Sequence, residues 1–199
     1  MSFYLPLILF SFVSAITPGP NNIMLMMSGS MFGIKKTMPL FLGVCCGYPV
    51  MLLAIGSGIG VIFTKYPYLH PGIKVVGSLY MLYMAWKIIT ATVIADNIKT
   101  RKPLTFFKTL LFQWINPKAV VMAIGVMSAY TTTHSPHSMM TQVIIITLVG
   151  AILTIPTAGF WVFGGAVLSK MVKSHIHLRV FNYIMGGLLI LSIGMMLVE

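Results

Sequence analysis

The chain consists of long apolar runs separated by short polar gaps. Six runs reach the length of about 20 residues that a helix needs to cross a hydrocarbon core of about 30 Å. They are Tyr4 to Ser28, Pro39 to Phe63, Ile73 to Val93, Thr109 to Tyr130, Met139 to Leu168 and Val180 to Val198. Because lipid offers backbone amides no partner, each run is predicted to be helical. The pattern therefore predicts six transmembrane helices.

The composition agrees with this pattern, because 58% of the residues are hydrophobic and 8% are charged. A chain with so little polar surface cannot cover a soluble core of this size. The predicted fold class is therefore an all-α integral membrane protein. We expect residues 1–199 to form one domain, with a first half at about 1–93, a loop at 94–108 and a second half at about 109–199.

The net charge of +11 indicates orientation in the membrane rather than nucleic-acid binding, because the cations lie in the gaps and not on one basic face. The first, third and fifth gaps and their edges hold Lys35, Lys36, Lys87, Lys99, Arg101, Lys102, Lys108, Lys170, Lys173 and Arg179. The second gap holds Lys65 and Lys74, and the fourth holds no lysine or arginine. By the positive-inside rule both termini are predicted to be periplasmic. The first run has no basic segment before it, so we expect it to be retained rather than cleaved as a signal peptide.

Prolines break the first and fourth runs, which suggests two halves of three helices each. An odd number of helices in each half inverts the second copy, as in many secondary transporters. Echoes occur in the same order in both halves: Pro18 or Pro20 corresponds to Pro117, Pro49 to Pro156, and Gly77-Ser-Leu-Tyr-Met-Leu to Gly186-Gly-Leu-Leu-Ile-Leu. Chance is the alternative, since Gly and Pro are common in membrane helices. We predict an inverted 3+3 repeat with broken helices 1 and 4.

The two breaks carry the candidate chemistry. In Thr17-Pro18-Gly19-Pro20-Asn21-Asn22 the prolines remove amide donors and free the carbonyls of Ser14 and Ile16, and Pro117 in Asn116-Pro117-Lys118 frees that of Gln113. Each half-helix after a break begins with unpaired N–H groups and a positive dipole end, which favour a carboxylate. The breaks thus offer donors for an anion and acceptors for a cation, and a zwitterionic amino acid has both groups.

Lys118 is the one charge well inside a predicted span, because Lys74 and Lys87 lie near the ends of the third span and Asp96, Glu199 and the five histidines lie outside the spans. A charge within a membrane span is by default a functional candidate. Lys118 lies about 15 Å of helix beyond Lys108, which is deep for a lysine that snorkels to the interface. A snorkelling or structural lysine and a simple proline kink are the alternatives to a binding site.

Other chemistry has less support. Cys45 and Cys46 are adjacent, a geometry unsuited to an ordinary disulfide, so buried hydrophobes are favoured over a membrane thiol-disulfide carrier. The loop histidines in His134-Ser-Pro-His137 and His175-Ile-His177 have no acidic or thiol co-ligands, so no metal is expected. We expect no cofactor and no catalytic residue, because acid–base catalysis would need a carboxylate or histidine at depth. A non-transporting membrane scaffold remains an alternative, although it would have no use for polar breaks.

Three segments resemble the LysE/RhtB family of bacterial amino-acid exporters: Thr17-Pro-Gly-Pro-Asn-Asn22, Gly77 through Tyr80-Met-Leu-Tyr-Met-Ala-Trp-Lys87, and Phe107 through Phe112-Gln-Trp-Ile-Asn-Pro-Lys118. The resemblance covers nearly the whole chain. Within the family, the motifs are most similar to those of the cysteine/O-acetylserine exporter branch. It implies a six-helix protein of the bacterial inner membrane that moves amino acids out of the cell, driven by the proton gradient. The paired motifs of the family fall on Pro18-Gly19-Pro20 and Asn116-Pro117-Lys118.

The chain departs from many relatives in having no carboxylate in a membrane helix, with Tyr48 and Pro49 in the region where one would be sought. This argues against a carboxylate proton relay. It also argues against lysine or arginine as cargo, since a second cation beside Lys118 would find no counter-ion. The expected cargo is a small neutral amino acid or derivative, such as cysteine, O-acetylserine, threonine or homoserine.

The predicted binding residues are Thr17, Pro18, Gly19, Pro20, Asn21, Asn22, Tyr48, Gln113, Asn116, Pro117 and Lys118. Lys118 and the half-helix after Pro20 are expected to bind the substrate carboxylate. Freed carbonyls around Ser14, Thr17 and Gln113 are expected to bind its ammonium, with Tyr48 or Trp114 as a cation–π contact. The expected partners are a small amino acid and the lipid bilayer, with a homo-oligomer left open and no nucleic acid.

Overall fold

The computed structural model describes residues 4–59, 65–66, 68–90, 103–132, 135–171 and 175–198. These residues form seven α-helices and one π-helical turn, Ile55–Ile59, and contain no strand. The helices are α1 (Tyr4–Ile16), α2 (Pro20–Ala54), α3 (Leu69–Ile89), α4 (Phe106–Ile115), α5 (Pro117–Tyr130), α6 (Met139–Met171) and α7 (His175–Val198). The all-helical prediction is therefore confirmed for the described residues.

Both predicted breaks are present. Residues 17–19 separate α1 from α2, and Asn116 separates α4 from α5, whose axes differ by 65°. Pro20 and Pro117 each occupy the first position of the helix that follows, where the missing proline N–H costs nothing because it would have no intrahelical acceptor. The prolines thus end one half-helix and start the next.

The first gap is shorter than predicted. We expected a loop between Ser28 and Pro39, but α2 continues through this region with only Gly33 outside the helical conformation, at φ 75° and ψ 172°. A straight helix would place Ser28 and Thr37 about 13.5 Å apart. Their hydroxyl oxygens lie 2.9 Å apart instead, so the chain folds back at Gly33. One glycine is sufficient because it tolerates a positive φ that other residues avoid. The two arms of α2, residues 20–32 and 34–54, are therefore separate helices.

Contacts at small residues fix the directions of the central helices. Along the second arm of α2, Gly43 packs on Phe106 and Thr109, and Gly47 packs on Leu110 and Gln113, so this arm runs parallel to α4. Gly150 of α6 lies against Leu52, and Gly159 lies against Phe41, so α6 runs antiparallel to the same arm. The turn at Gly33, the start of α4 and the end of α6 therefore lie at one end of the molecule.

The packing places apolar side chains both inside and outside. Two buried clusters form the core, one around Ile23, Leu40, Val162 and Leu189 and the other around Leu7, Met51, Ala123 and Ile146. Large apolar side chains such as Leu5, Leu79, Phe160 and Leu191 lie more than half exposed on the outside. By length and composition, the helix Met139–Leu168 can cross a membrane, as can the apolar stretch Pro20–Gly58, within which the chain turns at Gly33. The bent pair of α4 and α5 adds a third candidate span among the described residues.

Candidate functional site

A cavity of about 70 Å³ lies where the two breaks meet α6. About 10–15 Å³ of such space accommodates one water molecule, so this cavity has room for several waters or a small solute. Its wall consists of Ser11, Ser14, Ala15, Gly19, Pro20, Asn21, Asn22, Val44, Tyr48, Asn116, Lys118, Ala119, Met122, Gly150, Thr154, Thr157 and Ala158. The wall is thus built from α1, both arms of α2, α5 and α6.

Lys118 crosses from the second break to the first. Its side chain is 9% exposed, and its Nζ donates hydrogen bonds to the carbonyl oxygen of Thr17 at 2.8 Å, to Thr17 Oγ1 at 2.7 Å and to the carbonyl oxygen of Pro18 at 2.9 Å. Gly19 makes room for this approach, because a Cβ there would lie 2.6 Å from Lys118 Cδ. The three neutral oxygens form a site for an ammonium group, which we call the ammonium cradle.

A pair of hydrogen bonds between Asn21 and Gln113 forms a second link between the regions of the two breaks. Asn21 Nδ2 donates to Gln113 Oε1 at 2.7 Å, and Gln113 Nε2 donates back to Asn21 Oδ1 at 3.2 Å. Asn21 and Lys118 each follow the first proline of their helix. Lys118 bonds to the first break itself, and Asn21 bonds to the last turns of α4 before the second break. The two broken regions are therefore linked twice by side chains.

The first break satisfies most of its freed carbonyls within the protein. Asn22 Nδ2 donates to the carbonyl oxygens of Ala15 and Thr17, both at 2.7 Å. The carbonyl of Ser14 accepts from Thr17 Oγ1 at 3.1 Å, and that of Ile16 accepts from Trp161 Nε1 at 3.2 Å. The carbonyls of Ser14 and Thr17, which we expected to await a substrate ammonium, are thus occupied by protein donors in this conformation.

Two helix N-termini open onto the cavity. Gly19 caps α2 and Asn116 caps α5, and neither makes a side-chain capping hydrogen bond. Each of these helix ends carries a partial positive charge that favours a nearby anion. Lys118 is on the same wall and the wall residues include no aspartate or glutamate, so the formal charge of the wall is positive.

Asn116 brings an unused acceptor to this region. The residue is 2% exposed, and its Oδ1 is one of three buried side-chain atoms in the described part of the chain that have no hydrogen-bond partner. The others, Ser78 Oγ and Thr147 Oγ1, belong to residues that do not line the cavity. A buried acceptor without a donor is destabilising, which makes a polar solute beside Asn116 favourable.

The predicted residues separate into a wall and its support. Those that line the cavity are Gly19, Pro20, Asn21, Asn22, Tyr48, Asn116 and Lys118. The others, Thr17, Pro18, Gln113 and Pro117, are not among the wall residues but hold or shape those that are. Trp114 is 39% exposed and does not line the cavity, whereas Tyr48 does.

The contribution of α6 to the cavity was not predicted from the sequence. Thr154 and Thr157 line the cavity, and their hydroxyls donate to carbonyls of their own helix, those of Gly150 and Leu153. The available signal was Pro156, which corresponds to Pro49 in the proposed repeat and has a threonine on either side of it in sequence. Two polar residues beside a proline in an apolar run indicate a helix face that meets polar surroundings.

The described residues contain no group of three or more His, Cys, Asp or Glu side chains arranged to hold a metal. Cys45 and Cys46 are free thiols. Cys45 is half-buried and Cys46 is exposed, so the prediction that both are buried was wrong for Cys46. Of the histidines predicted to lie in loops, His134 lies outside the described residues and His137 is exposed. The prediction was wrong for His175 and His177, which lie in the first turn of α7.

A helical membrane protein whose broken helices meet at a cavity lined by polar as well as apolar side chains has the organisation of a transport protein. The family model of LysE type translocators matches residues 12–199, and the chain belongs to this family. The chain is similar to the cysteine/O-acetylserine efflux proteins of Escherichia coli O1:K1 / APEC, at 28% identity, and of Salmonella choleraesuis (strain SC-B67), at 29% identity. Each match covers 122 residues, which are 61% of this chain and 62% of the relative. No solved structure matches the chain.

Proposed function

We propose that the protein is a secondary-active exporter of small neutral amino acids or their derivatives across the bacterial inner membrane. Its membership of the LysE type translocator family supports transport, and the relatives named as cysteine/O-acetylserine efflux proteins support this cargo class. Drive by the proton gradient is part of the proposal and rests on the family resemblance.

The observation that carries the proposal is the meeting of two half-helix N-termini and Lys118 at one cavity. Broken helices of secondary transporters direct such N-termini at anionic groups of the substrate. The substrate carboxylate would accept hydrogen bonds from Lys118 and from amides of the half-helix after Pro20, at the start of α2. A neutral amino acid suits this site better than a cationic one, because the wall offers no carboxylate to balance a second cation.

An inverted repeat of six spans gives this site an alternating-access mechanism. Asn21 bonds to Gln113, which packs on Gly47, so the first arm of α2 descends beside the second arm towards Gly33. The broken helix made by α1 and this arm therefore runs opposite to the one made by α4 and α5. Two broken helices of opposite direction with mutual hydrogen bonds support the proposed symmetry. Movement of one half against the other would open the cavity to each side in turn.

The distribution of charge supports the proposed orientation. The turn at Gly33, next to the exposed Lys35 and Lys36, lies at the same end of the molecule as the start of α4 with the exposed Lys108. Lys170 belongs to the last turn of α6, which ends on this side as well. By the positive-inside rule this end faces the cytoplasm, and both termini are periplasmic.

Efflux of preloaded amino acids from cells tests the function directly. Lys118→Met removes the ammonium but keeps much of the side-chain volume, and we expect efflux to fall at least about tenfold because a charged hydrogen-bonding group is lost. Lys108→Met is the matched control, since Lys108 is an exposed lysine of α4, and it should leave efflux unchanged. Asn22→Ala should also reduce efflux. Wild-type rates in Lys118→Met and Asn22→Ala at equal protein levels would contradict the assignment, and absence of amino-acid flux in proteoliposomes would favour a scaffold.

A further inference from the structure

The ammonium cradle suggests how the cargo is recognised as a zwitterion. Lys118 presents a primary ammonium to three oxygens of Thr17 and Pro18 at 2.7–2.9 Å, which is the geometry of charge-assisted hydrogen bonds. An α-amino acid also carries a primary ammonium at neutral pH. The chain's own lysine therefore occupies a site whose chemistry is that required by the ammonium of the cargo.

The position of Lys118 makes an exchange possible. Lys118 lines the cavity, whereas Thr17 and Pro18 do not, so the lysine lies between the cavity and the cradle. The Lys118 side chain is long and has several rotatable bonds, and a carboxylate is a stronger acceptor for it than neutral oxygens. A carboxylate that enters the cavity can draw Nζ away and leave the cradle open to the cavity.

We propose that the substrate ammonium replaces Lys118 in the cradle while the substrate carboxylate binds the displaced Lys118. The inference rests on the proposed export function and makes Thr17 a residue that determines specificity. Two cations side by side would repel each other, so the exchange requires the carboxylate and ammonium on one small molecule. Within the proposed cargo class, the exchange therefore selects molecules that carry both groups. Hydroxy acids lack the group that fills the cradle, and simple amines lack the group that displaces Lys118.

Three molecules of similar size distinguish the requirement for a carboxylate from the requirement for an ammonium. L-Serine has both groups, glycerate has the carboxylate only, and ethanolamine has the ammonium only. The assay is inhibition of counterflow in proteoliposomes, with a labelled tracer that the wild-type protein transports, chosen from L-cysteine, O-acetyl-L-serine, L-threonine and L-homoserine. We expect L-serine to inhibit at least about tenfold more strongly than either other compound, because each forfeits charged hydrogen bonds.

Thr17 variants test the cradle itself. Thr17→Val removes Oγ1 at nearly constant volume, and Thr17→Ser keeps the hydroxyl. We expect the advantage of L-serine over glycerate to fall about tenfold in Thr17→Val, by the loss of one charged hydrogen bond, and to persist in Thr17→Ser. A purely structural role would change the transport rate but not this ratio. Unchanged ratios in Thr17→Val would overturn the cradle and leave the export function intact.

A binding measurement on the wild-type protein avoids dependence on variant folding. In detergent, L-serine should raise the melting temperature, while glycerate and ethanolamine at equal concentration should raise it much less. Equal stabilisation by L-serine and glycerate would also overturn the exchange. If the wild-type protein transported none of the four tracers, the proposed function would be refuted, and the exchange with it.

Discussion

Lys118 illustrates how a lysine can be buried in an apolar interior beside neutral groups. An ammonium carries three hydrogens, and Thr17 and Pro18 supply three oxygens at hydrogen-bonding distance. Thr17 Oγ1 still donates its own hydrogen to the Ser14 carbonyl, so the hydroxyl acts as acceptor and donor at once. Burial without such acceptors would cost several kcal/mol. The proline-rich break thus supplies the oxygens that make a lysine tolerable at this depth.

A substitution at Gly19 tests whether Lys118 needs the space that this glycine leaves beside its side chain. Its backbone is extended at φ −175°, which any residue adopts, so Gly19→Ala adds only a Cβ, 2.6 Å from Lys118 Cδ and 3.2 Å from Nζ. We expect Lys118 to be displaced from the cradle and efflux to fall about tenfold. Gly125→Ala is the control, because a Cβ at Gly125 meets no heavy atom within 4 Å. Efflux assays at matched expression compare the two, and equal rates would show that the cradle tolerates the methyl group.

The cysteines should be dispensable for transport. Cys46 is exposed, Cys45 is half-buried beside the apolar core, and neither lines the cavity. We expect the double variant Cys45→Ala, Cys46→Ala to retain efflux within about twofold, with a stability loss of about 1 kcal/mol from the smaller side chain at position 45. Efflux and thermal unfolding of the purified variant provide the measurement. Loss of efflux in a folded double variant would contradict this prediction and support the alternative of a thiol-disulfide carrier.

Among the helices, α2 and α6 are packed most closely through reciprocal glycines. A Cβ at Gly29 would overlap the carbonyl oxygen of Val162, and a Cβ at Gly165 would overlap that of Met26. Small residues let helix backbones approach in membranes, where packing rather than water exclusion drives association. This contact fixes the first arm of α2, and hence Asn21 and Asn22, against the helix that supplies Thr154 and Thr157.

Neighbouring glycines on α6 allow a matched test of this contact. At Gly165 the obstacle is backbone, which cannot rotate away, so Gly165→Ala should separate the helices and cost about 1–3 kcal/mol. At Gly164 the nearest atom is Met26 Cε at 4.0 Å, an ordinary contact, so Gly164→Ala should be neutral. Thermal unfolding in detergent measures the difference. Equal melting temperatures for the two variants would mean that the helices are less closely packed.

Gly33 provides a second test at the level of elements, because its requirement is conformational rather than steric. Its φ of 75° and ψ of 172° lie in a region that is nearly restricted to glycine, although a Cβ there meets nothing within 4 Å. Gly33→Ala should therefore destabilise the fold by about 1–3 kcal/mol. Gly72→Ala in α3 also has open space, without a positive φ, and serves as the control. Chemical or thermal denaturation that shows no difference would place the turn elsewhere.

Across the whole molecule, the breaks and the basic gaps were predictable because proline and lysine act through local chemistry. Pro20 and Pro117 occupy the first position of their helices, which suits proline by its own geometry, and apolar length indicates a helix without knowledge of its neighbours. The single-residue turn at Gly33 was not predictable, because Lys35 and Lys36 are read as a loop by charge alone yet are good helix formers. The Asn21–Gln113 pair and the role of α6 depend on packing between distant segments, which no local pattern contains.

The orientation of the whole molecule in the membrane can be tested with reporter fusions. An alkaline phosphatase reporter fused after Val198 should be active, and one fused after Lys108 should be inactive, because only the periplasm permits its folding with disulfides. A green fluorescent reporter at the same two positions should give the opposite pattern. If the fusion after Val198 were inactive and that after Lys108 active, the cytoplasmic and periplasmic ends would be exchanged.

The cross-linked breaks also have a consequence for efficiency. Under the proposed mechanism, the hydrogen bonds of Lys118 and of the Asn21–Gln113 pair would hold the two halves together when no cargo is bound, so the empty carrier would have to break them before it could reorient. A cargo that substitutes its own charged groups for those of Lys118 compensates for that loss. Idle cycling would then be slow and loaded cycling fast, which would limit the wasteful leak of any ion that drives export. The hydrogen bonds of Lys118 and of the Asn21–Gln113 pair would thus determine how tightly the flow of a driving ion is coupled to export of the cargo.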